Sequence, residues 1–141
     1  DGAGALHGIT GRNLVPANVA RAAVEGLLSA MAYCIDRIVA HGLDVKRVIL
    51  VGGGARSEAV RSIAPAIFGL PVDVPWPAEY VALGAARQAA WVLRQSDSPP
   101  PWSIGETRSY TAAPTPEVLH RYRTLQGMTV GQAHASSAID R

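Results

Sequence analysis

The sequence predicts an α/β domain in which helices pack on a small sheet. Its 141 residues are enough for one domain with a core of its own. The composition, 48% hydrophobic and only 17% charged, is typical of a well-buried globular protein. Segments with helical spacing of apolar residues also alternate with short aliphatic runs, as expected when helices and strands share one core.

The first part of the chain predicts a turn followed by a long helix. Residues 4–11 are rich in glycine and predict a short strand or an extended turn. Asn13 is a candidate cap and Pro16 a first-turn proline for the helix, and Gly42 is its candidate C-terminal cap. The apolar residues of this helix recur every three or four positions and so share one face: Val19, Ala22, Ala23, Gly26, Leu27, Ala30, Met31, Cys34, Ile35 and Ile38.

The most informative segment starts at Val48. Four consecutive aliphatic residues, 48–51, predict a fully buried parallel strand. Three glycines, 52–54, then allow a tight turn that exposes backbone N–H groups. Ser57 is placed to cap a following helix, with Glu58 in its first turn. A strand, a glycine turn and a helix N-terminus in succession are suited to binding a nucleotide or a phosphate.

The helix after the glycine turn is predicted to run to about Phe68, and Pro65 should kink or shorten it. Residues 72–74 predict a short strand. An alanine-rich third helix is predicted from about Tyr80 to Leu93, and its small residues would allow close contact with the sheet.

The remainder of the chain has a different composition. Residues 117–126 predict a short final helix, and residues 127–141 have little pattern and are predicted to be a disordered tail. Residues 96–116 are predicted to be an ordered arm or a linker. This arm has few aliphatic residues and holds five prolines: Pro99, Pro100, Pro101, Pro114 and Pro116.

Charge and cysteine content exclude several classes of function. The balance of 13 basic and 11 acidic residues is too even to indicate nucleic acid or a membrane surface as a partner. No stretch reaches the roughly 20 apolar residues of a membrane span. Cys34 is the only cysteine, so no disulfide forms within the chain; we expect a small buried hydrophobe and a cytoplasmic location. The histidines have no metal-ligand spacing, and no metal site is predicted.

Several motifs together resemble those of a known family. Gly4-x-Leu6-x-Gly8-Ile9, eight residues and then Asn18-Val19-x-x-Ala22-Ala23-Val24-Glu25 resemble the second signature of the FGGY carbohydrate kinases. Gly52-Gly53-Gly54-Ala55-Arg56-Ser57-Glu58 is similar to the adenine loop of that family, most of all to its xylulose kinase version. Residues 77–91 resemble the next family block, and the segment around Tyr122-Arg123 resembles the tail of the xylulose kinases. The resemblance covers about residues 3–126.

The resemblance implies a sugar kinase of the actin-like ATPase superfamily, which transfers the γ-phosphate of ATP to a ketose such as D-xylulose. Such enzymes have two ribonuclease H-like domains and an active site in the cleft between them. Residues 1–95 would be the back part of the second, ATP-binding domain, a partial ribonuclease H-like fold. The absence of an initiator Met before Asp1 also suggests a piece of a larger protein.

The same resemblance implies what this chain lacks. The sugar-binding domain and the catalytic aspartate would lie in the remaining domain of the same kinase, which is therefore the implied partner. Mg²⁺ would come with ATP or ADP and be held mainly by that other part. No catalytic residue is assigned here, and we expect the isolated chain to be inactive because phosphoryl transfer needs nucleophile, metal and triphosphate together.

The residues implied to bind the nucleotide all lie in and after the glycine turn. The backbone N–H groups of Gly53 and Gly54 would approach the α-phosphate or ribose, and Ser57 and Glu58 would edge the adenine pocket. From the residues alone, a turn that binds nothing, a helix cap and a helix-dipole partner remain alternatives. The full set is Gly52, Gly53, Gly54, Ala55, Arg56, Ser57 and Glu58.

Two further expectations concern single residues. Glu25 is a charge on an otherwise small and apolar helix face, and we hypothesise that it accepts N–H bonds from the glycine turn, since buried carboxylates need such partners. Trp76, Trp91 and Trp102 are expected to be packing residues rather than stacking surfaces, and only Trp76 lies between two prolines near the expected adenine side.

A second interpretation of the whole chain remains open. It is a non-catalytic binding or oligomerisation module with the actin-like fold, because fold alone does not decide function. Strand edges and helix faces left without cover would also favour self-association of the isolated chain.

Overall fold

A computed structural model describes residues 4–103 and 105–139. They form the α/β fold expected, with helices and a small sheet around one core. The elements follow in chain order: α1 (Pro16–Ala40), β1 (Val48–Ile49), a 3₁₀ turn (Gly53–Arg56), α2 (Glu58–Phe68), β2 (Val72–Pro75), α3 (Tyr80–Arg94), β3 (Thr107–Tyr110) and α4 (Pro116–Ile139).

The sheet has the order β1-β2-β3 within the described residues. β1 and β2 are parallel, with Val48 opposite Val72, and β3 pairs antiparallel with β2, with Tyr110 opposite Val72. The parallel pairing is the one predicted for β1, and α2 makes the crossover between the two strands.

The core lies between α1, α2 and one face of the sheet. Each of these elements contributes small or branched apolar side chains, and Leu28, Ala64 and Val72 are fully buried. Burying a side chain as large as Leu28 stabilises the fold by about 1.5–3 kcal/mol. The buried apolar residues are Leu28, Ala32, Leu50, Ala55, Val60, Ala64, Ile67 and Val72.

The ends of α1 agree only partly with the prediction. Pro16 occupies the first turn as expected, and Gly42 follows the last turn with φ of +84°. The capping role assigned to Asn13 was wrong, because Val15 is the N-cap residue and no side chain caps this end. The Asn13 side chain instead accepts a hydrogen bond from the Thr10 N–H (2.7 Å) and donates one to the Gly8 carbonyl (2.8 Å).

The start of α2 is the one that the sequence predicts. Ser57 is its N-cap residue, and the Ser57 hydroxyl accepts a hydrogen bond from the Val60 N–H at 3.4 Å. Gly69, with φ of +64°, ends the helix. Pro65 does not end it, since the helix continues to Phe68 and Pro65 is fully buried in its packed face. Packing on that face offsets the hydrogen bond that proline cannot donate.

The prediction that β1 is fully buried was wrong. Leu50 is 6% exposed, but Ile49 and Val51 are each 43% exposed. Successive side chains of an extended segment point to opposite faces, and α1 and α2 cover only one face of this sheet. Cys34 is exposed, contrary to the expectation that it is buried, because α1 is buried through Leu28, Ser29 and Ala32.

The expectation of close contact between α3 and the sheet was also wrong. No residue of α3 is buried, and Val81 and Leu93 are 87% and 85% exposed. The helix contacts the proline-rich segment instead, through a bond from Arg87 Nε to the Pro100 carbonyl (2.8 Å). No residue of α3 belongs to the core cluster.

The last third of the chain is more regular than predicted. β3 lies inside the segment 96–116 that the prolines marked as an arm or linker. The final helix begins at Pro116 and runs to Ile139, so it is longer than the predicted helix 117–126 and extends into the segment for which a disordered tail was predicted. Residues 140 and 141 lie outside the described residues. The spacing of apolar residues gave no signal for a longer helix, because this segment is not amphipathic. The sequence does lack proline, which would interrupt a helix, after Pro116.

Candidate functional site

An open groove of about 730 Å³ lies where β1 and β2 end at their carboxyl termini. The glycine turn after β1, the loop after β2 and the start of β3 form its walls. Ligands of open α/β sheets bind at this edge, and the volume is in the range of small-molecule sites. The residues that line it are Leu50, Val51, Gly52, Gly53, Ala55, Arg56, Arg61, Val74, Pro75, Trp76, Pro77, Ala78, Glu79, Tyr80, Glu106, Thr107, Arg108 and Tyr110.

The three glycines of the turn have different requirements. Gly52 has φ of +89°, a conformation that side chains rarely adopt, so the backbone itself requires glycine there. Gly53 and Gly54 have ordinary φ values, and a Cβ added at either would meet no protein atom within 4 Å. The fold therefore does not explain the missing side chain at Gly53, which lines the groove.

Backbone hydrogen bonds hold the turn in a 3₁₀ conformation. The Ala55 N–H donates to the Gly52 carbonyl at 3.2 Å, and the Ser57 N–H donates to the Gly54 carbonyl at 3.1 Å. Gly52 has no side chain to cap the turn. Because the first N–H groups of a helical turn have no acceptor within it, those of Gly53 and Gly54 are suited to a polar or anionic ligand.

The structure brings part of the predicted site together. Gly52, Gly53, Ala55 and Arg56 line the groove, whereas Gly54, Ser57 and Glu58 are not among its lining residues. The methyl group of Ala55 also belongs to the core.

The two polar residues that follow the turn make structural contacts. Ser57 caps α2. Glu58 is 73% exposed and pairs with Arg61 at 3.2 Å. Both therefore fit the structural alternatives that the residues alone left open.

Arg61 and Tyr110 are among the groove residues that were not recognised in the sequence. Arg61 lies one turn after Ser57 on α2, and its terminal nitrogens donate to the Arg56 carbonyl (3.0 Å) and to the Tyr110 hydroxyl (3.3 Å). Its guanidinium also lies 5.9 Å from the centre of the Tyr110 ring, a cation–π distance. Glu58 and Arg61 have the i,i+3 spacing of an ion pair on a helix, a signal that the sequence analysis did not use, and nothing in the sequence places Tyr110 near Arg61.

Three aromatic residues also line the groove: Trp76, Tyr80 and Tyr110. Trp76 is 74% exposed and lines the groove, so the expectation that it is a packing residue was wrong. Its backbone is held by a bond from the Trp76 N–H to the Glu106 carbonyl (3.0 Å) and by the Tyr80 hydroxyl, which donates to the Trp76 carbonyl (2.5 Å). An exposed indole on a fixed backbone offers a flat surface on which a planar ligand can stack.

The groove has a small excess of positive charge. Arg56, Arg61 and Arg108 line it together with Glu79 and Glu106, which is three positive charges against two negative ones. Positive charge that is partly screened from water attracts anions.

A buried carboxylate lies beside the groove, on β2. Asp73 is 7% exposed and accepts hydrogen bonds from the Ser109 hydroxyl and from Arg47 (2.7 Å). These two bonds, the one from Ser109 first, lower the pKa of Asp73 below its ordinary value despite the opposing effect of burial. The group stabilises the sheet and does not line the groove.

The bond predicted between Glu25 and the glycine turn was wrong. Glu25 Oε1 accepts a hydrogen bond from Arg21 Nε at 2.7 Å, one turn earlier on α1. Its side chain is 21% exposed and lines a second, smaller cavity of about 260 Å³ against the N-terminal segment. A cation four residues away on the same helix is a nearer partner than the turn.

Among the residues that the structure describes, no group of three or more His, Cys, Asp or Glu side chains could hold a metal ion. No helix in the described ranges is long and apolar enough to cross a membrane.

The family model for the C-terminal domain of the FGGY family of carbohydrate kinases matches residues 2–93. The chain belongs to this family. The resemblance to the FGGY carbohydrate kinases is thereby confirmed. The glycine turn and the loop after β2 lie within the matched part of the chain, whereas the groove residues Glu106, Thr107, Arg108 and Tyr110 follow it.

Individual relatives of this FGGY domain are xylulose kinases. The xylulose kinase of Streptomyces rubiginosus is 32% identical to this chain over 140 residues, which cover 98% of this chain and 28% of the relative. That of Escherichia coli is 39% identical over 87 residues, 61% of this chain and 18% of the relative. The crystal structure of xylulose kinase from Bifidobacterium adolescentis matches with a TM-score of 0.71 and 44% identity, over 84% of this chain and 24% of that one. The chain thus spans about 28% of the length of its Streptomyces relatives.

Proposed function

We propose that this chain is the nucleotide-binding part of an ATP-dependent sugar kinase similar to the xylulose kinases. The substrate would be a ketose such as D-xylulose. The groove at the carboxyl ends of β1 and β2, with a glycine turn on its wall, is the observation that carries the proposal. Membership of the FGGY family and the 44% identity to a xylulose kinase of known structure support it.

The groove fits a nucleotide in its size and in its donors. Gly53 presents backbone without a Cβ, so the ribose or α-phosphate can approach its N–H group closely. The arginines of the groove favour the charge of the phosphates, and the exposed indole of Trp76 offers a stacking surface to adenine. Gly52 and Gly54 shape the turn, and Ser57 and Glu58 act through α2.

The proposal places the other groups that the reaction needs outside this chain. The sugar site, the catalytic base and the main ligands of Mg²⁺ would come from the rest of a longer, cytoplasmic kinase whose domains have the ribonuclease H-like fold. The isolated chain would then bind nucleotide without transferring a phosphoryl group, because the transfer needs nucleophile and metal in line with the triphosphate.

Titration of the 141-residue chain with ATP and with ADP tests this proposal, followed by calorimetry and by amide NMR shifts. We expect shifts at Gly53, Gly54 and Ser57, and loss of binding in Gly53→Val. Gly84→Val is the matched control, since a Cβ at Gly84 also meets no atom within 4 Å and Gly84 lies on α3 outside the groove.

Binding that survives in Gly53→Val would contradict the assignment of the turn. A wild-type chain that binds neither nucleotide would contradict an autonomous site and favour the alternative, a non-catalytic module that keeps this fold.

A further inference from the structure

We infer that Arg61 is a positioning residue, which holds the glycine turn against β3 and so sets the shape of the groove. The inference deepens the proposed function and rests on it, since the purpose of this shape is to bind a nucleotide. The inference concerns the conformational order of the glycine turn, which can be measured without any ligand.

Arg61 connects three elements through one guanidinium. It belongs to α2, it donates to the Arg56 carbonyl at the end of the 3₁₀ turn (3.0 Å), and it donates to the Tyr110 hydroxyl on β3 (3.3 Å). The ring of Tyr110 lies 5.9 Å away, so the ring and the hydroxyl both contact the cation. The turn and β3 both line the groove and are far apart in the chain.

The geometry of these bonds requires arginine. A guanidinium is planar and donates in two fixed directions at once, whereas the lysine ammonium is a point charge on a flexible stem. The Nε atom of Arg61 is buried and has no hydrogen-bond partner among the described residues, so the terminal nitrogens alone orient the side chain. Lysine at this position would keep the charge and lose the bridge.

The bridge acts on the backbone that faces the ligand. Arg56 is the last residue of the 3₁₀ turn, whose internal bonds run from the Ala55 N–H to the Gly52 carbonyl and from the Ser57 N–H to the Gly54 carbonyl. Because Arg61 links the Arg56 carbonyl to Tyr110, the turn cannot move away from β3. Without this tie, opening of the turn displaces the Gly53 backbone from the groove.

Arg61→Lys and Tyr110→Phe test the inference in the intact chain. Tyr110→Phe removes one hydrogen bond and keeps the ring. The matched controls are Arg94→Lys, at an exposed arginine at the end of α3 outside the groove, and Tyr33→Phe on α1. Amide hydrogen exchange at Ala55 and Ser57, without nucleotide, reports the order of the turn, and exchange at Val72 reports the sheet.

In both test variants we expect exchange at Ala55 and Ser57 to rise about five- to tenfold, the effect of losing one net hydrogen bond. Exchange at Val72 should stay within twofold of the controls. The dissociation constant of ADP should rise by a similar factor of roughly five to ten.

The outcomes separate this inference from the proposed function. Unchanged exchange at the turn, or an equal rise at Val72, overturns the positioning role, the second because it shows a general loss of stability. If the wild type binds no nucleotide, the proposed function fails for this chain while exchange still decides the role of Arg61. If nucleotide binds equally to wild type and variants, the function stands and the inference falls.

Discussion

At the scale of single residues, the glycine turn shows that adjacent glycines have separate physical reasons. Gly52 is required by its positive φ, whereas Gly53 and Gly54 are required by neither φ nor packing. A sequence motif records three identical letters and cannot separate these cases. The separation matters for mutagenesis, because only substitution at Gly52 strains the backbone.

We expect Gly52→Ala to lower the free energy of unfolding by about 1–3 kcal/mol, the cost of a side chain in a sparsely populated backbone region. Gly54→Ala, outside the lining of the groove, should be neutral or raise it by up to about 1 kcal/mol, because alanine restricts the unfolded chain. Urea unfolding of both variants measures the difference. Equal effects at the two positions would contradict this distinction.

Ser57 gives a second prediction at this scale. Removal of its hydroxyl in Ser57→Ala leaves the Val60 N–H without its cap, and we expect a loss of about 1 kcal/mol of stability. Ser62→Ala is the control, since the Ser62 hydroxyl bonds only the Ala59 carbonyl on the exposed side of the same helix. Chemical denaturation should show Ser62→Ala within about 0.5 kcal/mol of wild type. A smaller loss for Ser57 than for Ser62 would argue against the cap.

At the scale of elements, Asp73 joins the three strands through side chains as well as backbone. It lies on β2, accepts a bond from Ser109 on β3, and pairs with Arg47, which directly precedes β1. β3 has no aliphatic residue, so this bond and the ladder to β2 hold it in place. That is the physical reason why β3 escaped prediction: its signal lies in a partner 36 residues away.

The pH dependence of stability should reveal this carboxylate. Because its pKa is lower in the folded chain than its ordinary value of 3.8, its contribution is fully present above about pH 4 and is lost as the pH falls through the lower folded-state pKa. The difference in free energy of unfolding between wild type and Asp73→Asn should be constant at higher pH and shrink below about pH 4. Urea unfolding across this range measures it.

Asp44→Asn is the control for that series. Asp44 pairs with Lys46 on the surface, where both side chains are more than 70% exposed (73% and 79%). Exposed pairs of this kind contribute little. If the difference in free energy of unfolding between wild type and Asp73→Asn grew as the pH fell, the charged carboxylate of Asp73 would not be the form that stabilises the fold.

At the scale of the whole molecule, the described residues leave a large apolar area in contact with water. Val81, Leu93 and Val92 on α3 are 87%, 85% and 69% exposed, and Ile49 and Val51 are half exposed on the uncovered side of the sheet. Exposed apolar surface and open strand edges favour association with another chain.

We therefore expect the isolated chain to self-associate in solution, and the double variant Val81→Ser/Leu93→Ser to shift it towards the monomer. Gln88→Ser, at an exposed polar position of the same helix, should leave the association constant unchanged. Sedimentation equilibrium over a range of concentrations measures all three. A wild-type monomer at high concentration would contradict the prediction.

Local sequence determined the first three helices and the glycine turn of this chain, because their signals lie within a few residues of one another. Pro16, Ser57 and Gly42 mark helix ends, and four aliphatic residues mark the strand before the turn. The family membership was also readable, since it depends on the order of motifs along the chain. Only the tertiary structure decided which faces are covered, and with them the exposure of Ile49, Cys34 and α3. It alone placed Arg61 against Tyr110, because contacts between residues 49 positions apart depend on packing and have no local pattern.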